Sequence, residues 1–447
     1  MEYTIQELSR LSGVTTRALR WYDKIGLLTP SGRTEGGYRR YGPAEVDRLQ
    51  DNQLENPSQL VVGQAIVVQY PELTHTVRAG DSLYSIAQMH NTTVAQLLRN
   101  NPALQGRDLI YPGQVIVVKY ASRPRGPLTV NAYAYPYIDR DLLRATLPYL
   151  SQITPFTYRF DEGELIPLRD EALVNAALQS RVAPIFHLSN LDEEERFSAQ
   201  LAHELLEDEE DQRELIGRIV RTVDRRGYQG VDVDFEYIRA EDGENYAQFL
   251  ARLRRALTSR GLPLIAALAP KTSADQPGRL YEGIDYHLIA QSVDFALLMT
   301  YEWGNQASPP MAVAPLPQVR RVVEYAITEF EPNRLYLGIP NYGYDWTLPY
   351  REGGRARSLS NVEAVRLAWD RRVSIRYDET VQSPWFRYVD DRGAEHEVWF
   401  EDARSIQAKL NLAIDLGLYG VGYWNLDRPF PQNWVAVNAI AEIRSEM

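Results

Sequence analysis

The sequence predicts an α/β fold: a (β/α)8 TIM barrel with a small α+β insertion, preceded by two smaller N-terminal units. Three observations predict it. Eight short apolar runs alternate with longer, mostly amphipathic segments over residues 121–447, the pattern of a parallel sheet wrapped by helices. The gap between the seventh and eighth runs is unusually long, and its middle alternates like antiparallel strands. A motif, GQAIVV at Gly63–Val68, returns as GQVIVV at Gly113–Val118, an offset of 50 residues, which marks an internal repeat.

Composition narrows the function before any motif is read. The chain has 447 residues, 44% apolar and 24% charged, ordinary globular values for two to four domains. No run of about 18 apolar residues is present, so no membrane span is expected. The start, MEYTIQELSR, lacks a basic stretch followed by an apolar core, so no secretory signal is expected. Cysteine is absent, which removes disulfides, thiolate zinc sites and cysteine nucleophiles. A net charge of -12 argues against nucleic-acid binding by the whole chain. The histidines His75, His90, His187, His203, His287 and His396 include no H-x-x-x-H pair, so no histidine metal site is expected. No G-x-x-x-x-G-K-[ST] or G-x-G-x-x-G cradle occurs, and no cofactor is expected. The 28 tyrosines and 8 tryptophans suit sugar stacking, but they suit an aromatic core equally.

Residues 1–50 carry eight Lys/Arg against six Asp/Glu, a local excess of positive charge in an acidic protein. Thr4 and Glu7 form a T-x-x-E capping box ahead of an apolar-periodic stretch. SGVTTRALRWYDKIG reads as a turn and a second helix with Arg17 and Arg20, and GGYRRYG as a turn or ribbon with Arg39 and Arg40. Pro43 opens a further helix. The runs TIQELSRLSGVTTRALRWYDKIGLL and GYRRYG closely resemble the winged helix-turn-helix of MerR-type regulators. The resemblance implies that the second helix enters a DNA major groove and that Arg39 and Arg40 touch phosphates. The match stops where such regulators continue into a dimerising helix, so any DNA binding is expected to be weak.

Residues 51–120 hold the repeat. Its second copy, at 73–119, reads as strand, helix (Ser82–Met89), helix (Thr93–Arg99), loop and strand. Gly80-Asp81-Ser82-Leu83, Asn100-Asn101-Pro102 and Pro112-Gly113-Gln114 carry a close resemblance to a LysM module, which implies binding of N-acetylglucosamine-containing polymers such as peptidoglycan or chitin. The first copy survives only as residues 51–70, as if the N-terminal unit had been joined inside a LysM repeat near Gln50–Asn52. Half a module cannot bury its own core, so residues 52–70 are expected to be poorly docked or frayed.

After the linker ASRPRGP the eight runs are Leu128–Tyr135, Phe156–Phe160, Val182–His187, Gly230–Phe235, Leu264–Ala269, Phe295–Tyr301, Leu335–Ile339 and Gly420–Trp424. Intervening segments such as Leu191–Arg226 and Ala314–Phe330 are amphipathic. SIRYDETVQSPWFRYVDDRGAEHEVWF alternates around a DDRG turn and places an α+β insertion at about 347–400, beside the barrel mouth. The Glu/Asp run at Glu207–Asp211 reads as a solvated helix face, and His187 as a packing residue.

The fourth run, in YQGVDVDFEYI, carries the chemistry. Asp232, Asp234 and Glu236 alternate with Val231, Val233 and Phe235, so acids share one face of a strand and apolar residues the other. An edge strand facing water would also alternate, but this strand has an apolar face and lies fourth of eight. Its acids are therefore expected to point into the barrel and toward its C-terminal mouth. Unpaired like charges packed closely are costly unless a proton is shared.

The same stretch, GVDVDFE, resembles the D-G-x-D-x-D-x-E signature of family 18 glycoside hydrolases, with Gln229 where that family has its first acid. LLMTYEW at Leu297–Trp303, GIPNYGYDW at Gly338–Trp346 and GVGYWNLD at Gly420–Asp427 extend the likeness along the later strands. The resemblance implies substrate-assisted, retaining hydrolysis. In it, Glu236 is the general acid, Asp234 orients the substrate acetamido group, Asp232 shares a proton with Asp234, and Tyr301 bonds the acetamido carbonyl. Trp424 is implied as the apolar floor, with Tyr342, Tyr344 and Glu302 as subsite residues. LysM repeats ahead of such a barrel, without a signal peptide, resemble the spore-germination enzymes that degrade cortex peptidoglycan. That implies an N-acetylglucosaminidase made in the cytoplasm and associated with spore cortex or coat. The alternatives are a chitinase, an inactive sugar-binding barrel, and a MerR-like DNA-binding regulator that senses a sugar through its barrel.

Overall fold

The structure, a computed structural model, describes residues 2–12, 16, 19–20, 30, 32–34, 37–41 and 60–446. Near the N-terminus the Thr4–Glu7 capping box is formed, with Thr4 N donating to Glu7 Oε2 at 2.7 Å and Glu7 N to Thr4 Oγ1 at 3.2 Å. It opens the helix Ile5–Ser12. The short strands Tyr3–Thr4 and Gly32–Arg33 both pair antiparallel with Arg39–Tyr41. Arg20 is exposed and Arg39 and Arg40 are half-buried, whereas Arg17 lies outside the described residues.

The strands Pro71–Thr76 and Val115–Tyr120 pair antiparallel and pack on helices Leu83–Met89 and Val94–Asn100. Ser82 and Thr93 cap those helices from outside. The side chain of buried Asn101 donates to Leu97 O and Val117 O and accepts from Val117 N. Asn100 donates to Val118 O. The Asn-Asn step therefore ties the second helix to the sheet where Pro102 ends it.

Eight parallel strands follow: β1 (Gly126–Ala134), β2 (Gln152–Pro155), β3 (Phe186–Ser189), β4 (Val231–Asp234), β5 (Leu264–Leu268), β6 (Phe295–Leu298), β7 (Leu335–Pro340) and β8 (Gly420–Trp424). β3 to β8 pair in succession, β8 returns to pair with β1, and β1 pairs with β2. The barrel closes at Ile185. Ala183–Pro184 pairs with β2, Ile185 N donates to Ile153 O, and Phe186 N then donates to Gly230 O, which opens the pairing with β4.

Side chains alternate as the pleat requires. Val231, Val233 and Phe235 join the outer core against the helices, while Tyr133, Ile185, Ile265, Leu297 and Tyr336 fill the barrel interior. The acids at Glu209–Asp211 form the first turn of helix Glu209–Arg226. Asp208 caps that helix, Arg225 and Arg226 lie in its last turn, and Gly227 ends it at φ 78°. This charge order complements the helix dipole.

Three expectations are corrected. The second barrel strand is Gln152–Pro155, not Phe156–Phe160, whose C-terminal part enters a hairpin with Glu164–Ile166. The true strand turns polar groups inward: Gln152 Oε1 accepts from Tyr336 Oη, and Thr154 Oγ1 donates to Asn131 Oδ1. A search for apolar runs therefore passes over it. The small lobe begins at Gly343, ahead of the expected boundary near 347. Its sheet runs in the order Arg357–Leu359, Gly343–Leu348, Glu395–Trp399, Ser383–Val389, Arg376–Asp378. Residues 60–70 are docked rather than frayed, because they borrow a core. Val61 is buried with Leu359, Phe386 and Phe400 of the lobe, Ile375 N donates to Val62 O, and Arg404 donates to Gly63 O. A Cβ on Gly63 would lie 1.9 Å from Ile375 O. Residues 52–59 lie outside the described residues.

Candidate active site

β4 delivers three carboxyl groups to the C-terminal mouth of the barrel. Asp232 and Asp234 are buried inside it, and Glu236 follows just past the strand end. Tyr133 on β1 donates to Asp232 Oδ2 at 2.7 Å. His187 on β3 is fully buried, with Nε2 at 3.6 Å from Asp232 Oδ2 and 3.8 Å from Asp234 Oδ2. Its Nδ1 is 2.6 Å from Thr157 Oγ1. His187, read from sequence as packing, thus sits beside both aspartates. The tertiary fold alone brings it there, since 45 residues separate it from Asp232 in the chain.

Burial dominates the electrostatics. It pushes Asp232 up to about 7, with the Tyr133 hydroxyl pulling the other way. It raises Asp234 well above the carboxylate range, helped by the charges of Glu236 and Asp232. It raises Glu236 to about 7, helped by Glu302. Burial lowers His187 to about 3, so its ring is neutral at working pH. The cluster therefore retains protons near neutrality because ionising every carboxyl in a dry, like-charged site is unfavourable.

Asn190 fixes the acid at the rim, a contact that the sequence reading missed. Its Oδ1 accepts from Glu236 N, and its Nδ2 donates to Glu236 O, both at 2.9 Å. Its Nδ2 also reaches Ser198 O, whose residue in turn donates N–H to Asn190 O. A single buried amide thus clamps the peptide groups of Glu236. No motif marks Asn190; its position at the end of the third apolar run is the one available signal.

The other candidate residues gather around the same mouth. Tyr301, two residues beyond Met299, faces Asp234 and Glu236; burial and their charges raise its phenol well above normal, so it stays a donor. Gly338 makes room for it, since a Cβ there would lie 2.9 Å from the Tyr301 ring and 2.4 Å from Leu298 O. Tyr342 and Tyr344 donate to Glu302 Oε1 at 2.5 and 2.9 Å. Glu302 is solvent-exposed as a residue, yet its carboxylate is tied down by both phenols. Trp424 ends β8 and meets Phe156 and Tyr133 edge-on, with centroids 4.8 and 5.6 Å away. Gln229 donates to Gly227 O and stays outside this cluster.

An open cleft of about 620 Å³ runs from Glu236 across Tyr237, Met299 and Tyr301 to Tyr344 and Arg355. Such a groove admits a chain of sugars, with aromatic and polar walls suited to them. Among the described residues no group of three or more His, Cys, Asp or Glu is arranged to hold a metal ion. None of the described helices is long and apolar enough to cross a membrane. Arg20, Arg39 and Arg40 are not part of this site.

Comparison with known proteins agrees with this geometry. The model "Glycosyl hydrolases family 18" matches residues 192–428, "LysM domain" matches 75–119, and "MerR family regulatory protein" matches the short segment 4–41. The chain is 41% identical over 421 residues to "Cortical fragment-lytic enzyme" of Bacillus subtilis (strain 168), covering 81% of this chain and 97% of that one. The crystal structure of the Bacillus cereus spore cortex-lytic enzyme SleL superposes with a TM-score of 0.76 at 35% identity, covering 95% and 96% of the two chains. A chitinase from Chromobacterium violaceum gives 0.65 at 25% identity, covering 70% and 98%. With its barrel, its buried acids and the matched residues in agreement, the chain belongs to glycosyl hydrolase family 18 and is a glycosidase.

Proposed function

We propose that this glycosidase cleaves N-acetylglucosamine-containing glycan, as spore cortex peptidoglycan fragments, by substrate-assisted retaining hydrolysis. The observation that carries the reading is the Asp232–Asp234–Glu236 series, held in the barrel mouth with both aspartates buried and Glu236 raised to about 7. A carboxyl with that affinity is protonated often enough near neutral pH to serve as a general acid. Glu236 gives its proton to the glycosidic oxygen as that bond breaks. The acetamido carbonyl oxygen of the same sugar attacks the anomeric carbon and forms an oxazolinium ring. Asp234 accepts from the acetamido N–H, with a proton shared between it and Asp232, whose other contact is the Tyr133 hydroxyl. Tyr301 donates to the acetamido oxygen, and Trp424 supplies the apolar floor. Water then attacks the anomeric carbon as its bond to the acetamido oxygen breaks, reopening the oxazolinium ring, and gives a proton to Glu236; the two inversions retain the configuration. Tyr342, Tyr344 and Glu302 form a subsite wall.

The relatives' names support cortex fragments as the polymer, and the LysM module supports retention on a glycan surface, where effective concentration offsets weak binding in the cleft. We read residues 1–50, 51–70, 73–119 and 126–447 as the N-terminal unit, the repeat remnant, the LysM module and the barrel, and place the enzyme at spore cortex or coat. The chitinase likeness favours chitin as the second substrate, with identical chemistry. DNA contact through residues 1–50, by Arg17, Arg20, Arg39 and Arg40, is a second partner reading with weak affinity expected, and a gel shift at about 150 mM salt tests it.

The experiment compares release of reducing sugar from cortex fragments, vegetative wall and chitin. Glu236→Gln is expected to abolish release while polymer binding persists, and Asp234→Asn to slow it roughly 10²-fold or more. Unchanged turnover in Glu236→Gln would reject the assignment. A preference for chitin over cortex fragments would reject the substrate.

A further inference from the structure

The cleft beside Glu236 carries a cation that the hydrolytic mechanism does not use. Arg355 lies on the loop from the lobe strand Gly343–Leu348 to Arg357–Leu359 and lines the cleft with Glu236, Tyr237, Glu302 and Tyr344. It is exposed, and among the described residues it makes no hydrogen bond or ion pair. Some arginines in or beside the lobe are committed, Arg357 to Asp345, Arg371 to Asp391, Arg387 to Glu397 and Arg404 to Asp402; Arg351 on the same loop is exposed like Arg355 but does not line the cleft. The loop bearing Arg355 is nevertheless braced. Ala356 N donates to Gln306 O at 2.8 Å, Tyr350 Oη to Ala307 O at 2.7 Å, and Trp346 Nε1 to Ser308 O at 2.7 Å. The loop that carries Arg355 is thus fixed at the edge of the groove, and the guanidinium donors are unspent.

Its surroundings give that cation a use. Glu302 lines the same cleft, so a sugar bearing a carboxylate would enter against its negative charge. A neutral chitin strand meets no such repulsion and has no carboxylate for a guanidinium to match. An arginine fork matches a carboxylate through two parallel N–H bonds, with geometry as well as charge favouring the pair. We propose that Arg355 forms a carboxylate subsite next to the cleaved bond. It would select strands whose alternate sugars carry a lactyl or peptide-stem carboxylate over neutral N-acetylglucosamine polymers. The assignment rests on the peptidoglycan reading above and deepens it.

The test uses the full chain and three probes: muropeptide oligosaccharides with free carboxylates, the same fragments methyl-esterified, and N-acetylchitohexaose. Arg355→Gln is expected to lower kcat/KM on the free acids about tenfold and to leave the esterified and neutral probes within about twofold. Arg351→Gln removes the same charge from the same loop away from the cleft and is expected to change none of them. Equal losses on acidic and neutral probes, no loss on the acids, or the same loss from Arg351→Gln would overturn the assignment. Binding of the three probes to Glu236→Gln and to Glu236→Gln/Arg355→Gln is titrated in parallel. Failure of the wild type to hydrolyse any muropeptide would therefore sink the proposed substrate, while a carboxylate-dependent difference between these two proteins still decides the role of Arg355.

Discussion

Glu302→Gln should move the alkaline limb of the pH–rate profile, and the structure bounds the size of that move. Glu236 stands at about 7 against an ordinary 4.5, an elevation of about 2.5 pH units. Burial is the larger cause and the Glu302 charge the second, so Glu302 supplies the smaller part of that elevation. Solvent reaches Glu302 and screens it, which reduces the expected share to about 0.5–1 unit. The amide is isosteric and still accepts from Tyr342 and Tyr344. The sign follows from the role of Glu236 as an acid. Removing a nearby negative charge makes its ionised form easier to reach, so the protonated form disappears at lower pH. The assay is kcat/KM on a soluble chitooligosaccharide from pH 4 to 9 at constant low ionic strength. The wild-type rate is expected to fall above about pH 7, and the variant's by about 0.5–1 unit earlier, with the two alkaline limbs parallel. An unmoved limb, or one displaced upward, would refute the electrostatic link between Glu302 and Glu236.

Two further outcomes are expected. Asn190→Leu leaves the N–H and C=O of Glu236 without their shared partner, at a cost of about 1–3 kcal/mol for each unsatisfied group. The melting temperature and kcat should fall together, kcat by about tenfold or more, with KM nearly unchanged; an unchanged kcat would show that the clamp does not position the acid. Glu236→Gln should stabilise the fold at pH 7–8. Glu236 has a higher pKa folded than unfolded, so the folded state binds more protons between the two values. The stability contributed by the carboxyl is full below about 4.5 and is lost as pH rises through about 7. The amide escapes that loss, a gain on the order of 2 kcal/mol at pH 8 that vanishes near pH 4. Denaturant melts at both pH values check it, and equal stability at pH 8 would contradict the raised pKa.

The fourth strand was legible because two periodicities coincide on it. Acids fall on one face and Val231, Val233 and Phe235 on the other, and a strand has only two faces. The positions of Trp424 and Tyr301 at the barrel mouth were legible for a similar reason, each lying at the end of an apolar run. The second strand was not legible. Its inward residues Gln152 and Thr154 bond to Tyr336 and Asn131, so its polarity is explained only by partners distant in sequence. His187 does pack, against Tyr133 and Phe156, but its place beside the aspartates went unread and Asn190 was missed for the same cause, since a lone histidine and a lone asparagine carry no periodicity.

By itself, then, the sequence determined the order of the modules, the alternation of strands and helices, and which side of β4 is acidic, because these depend on spacing along one chain. Tertiary structure alone decided which groups share a dielectric environment. It placed His187 between two aspartates, gave Asn190 the backbone of Glu236, pinned Glu302 beneath two phenols and docked residues 60–70 on a borrowed core. A carboxyl's affinity for its proton is set by how completely water is excluded around it and by charges that arrive from other strands. Barrel closure, not local sequence, is what supplies both.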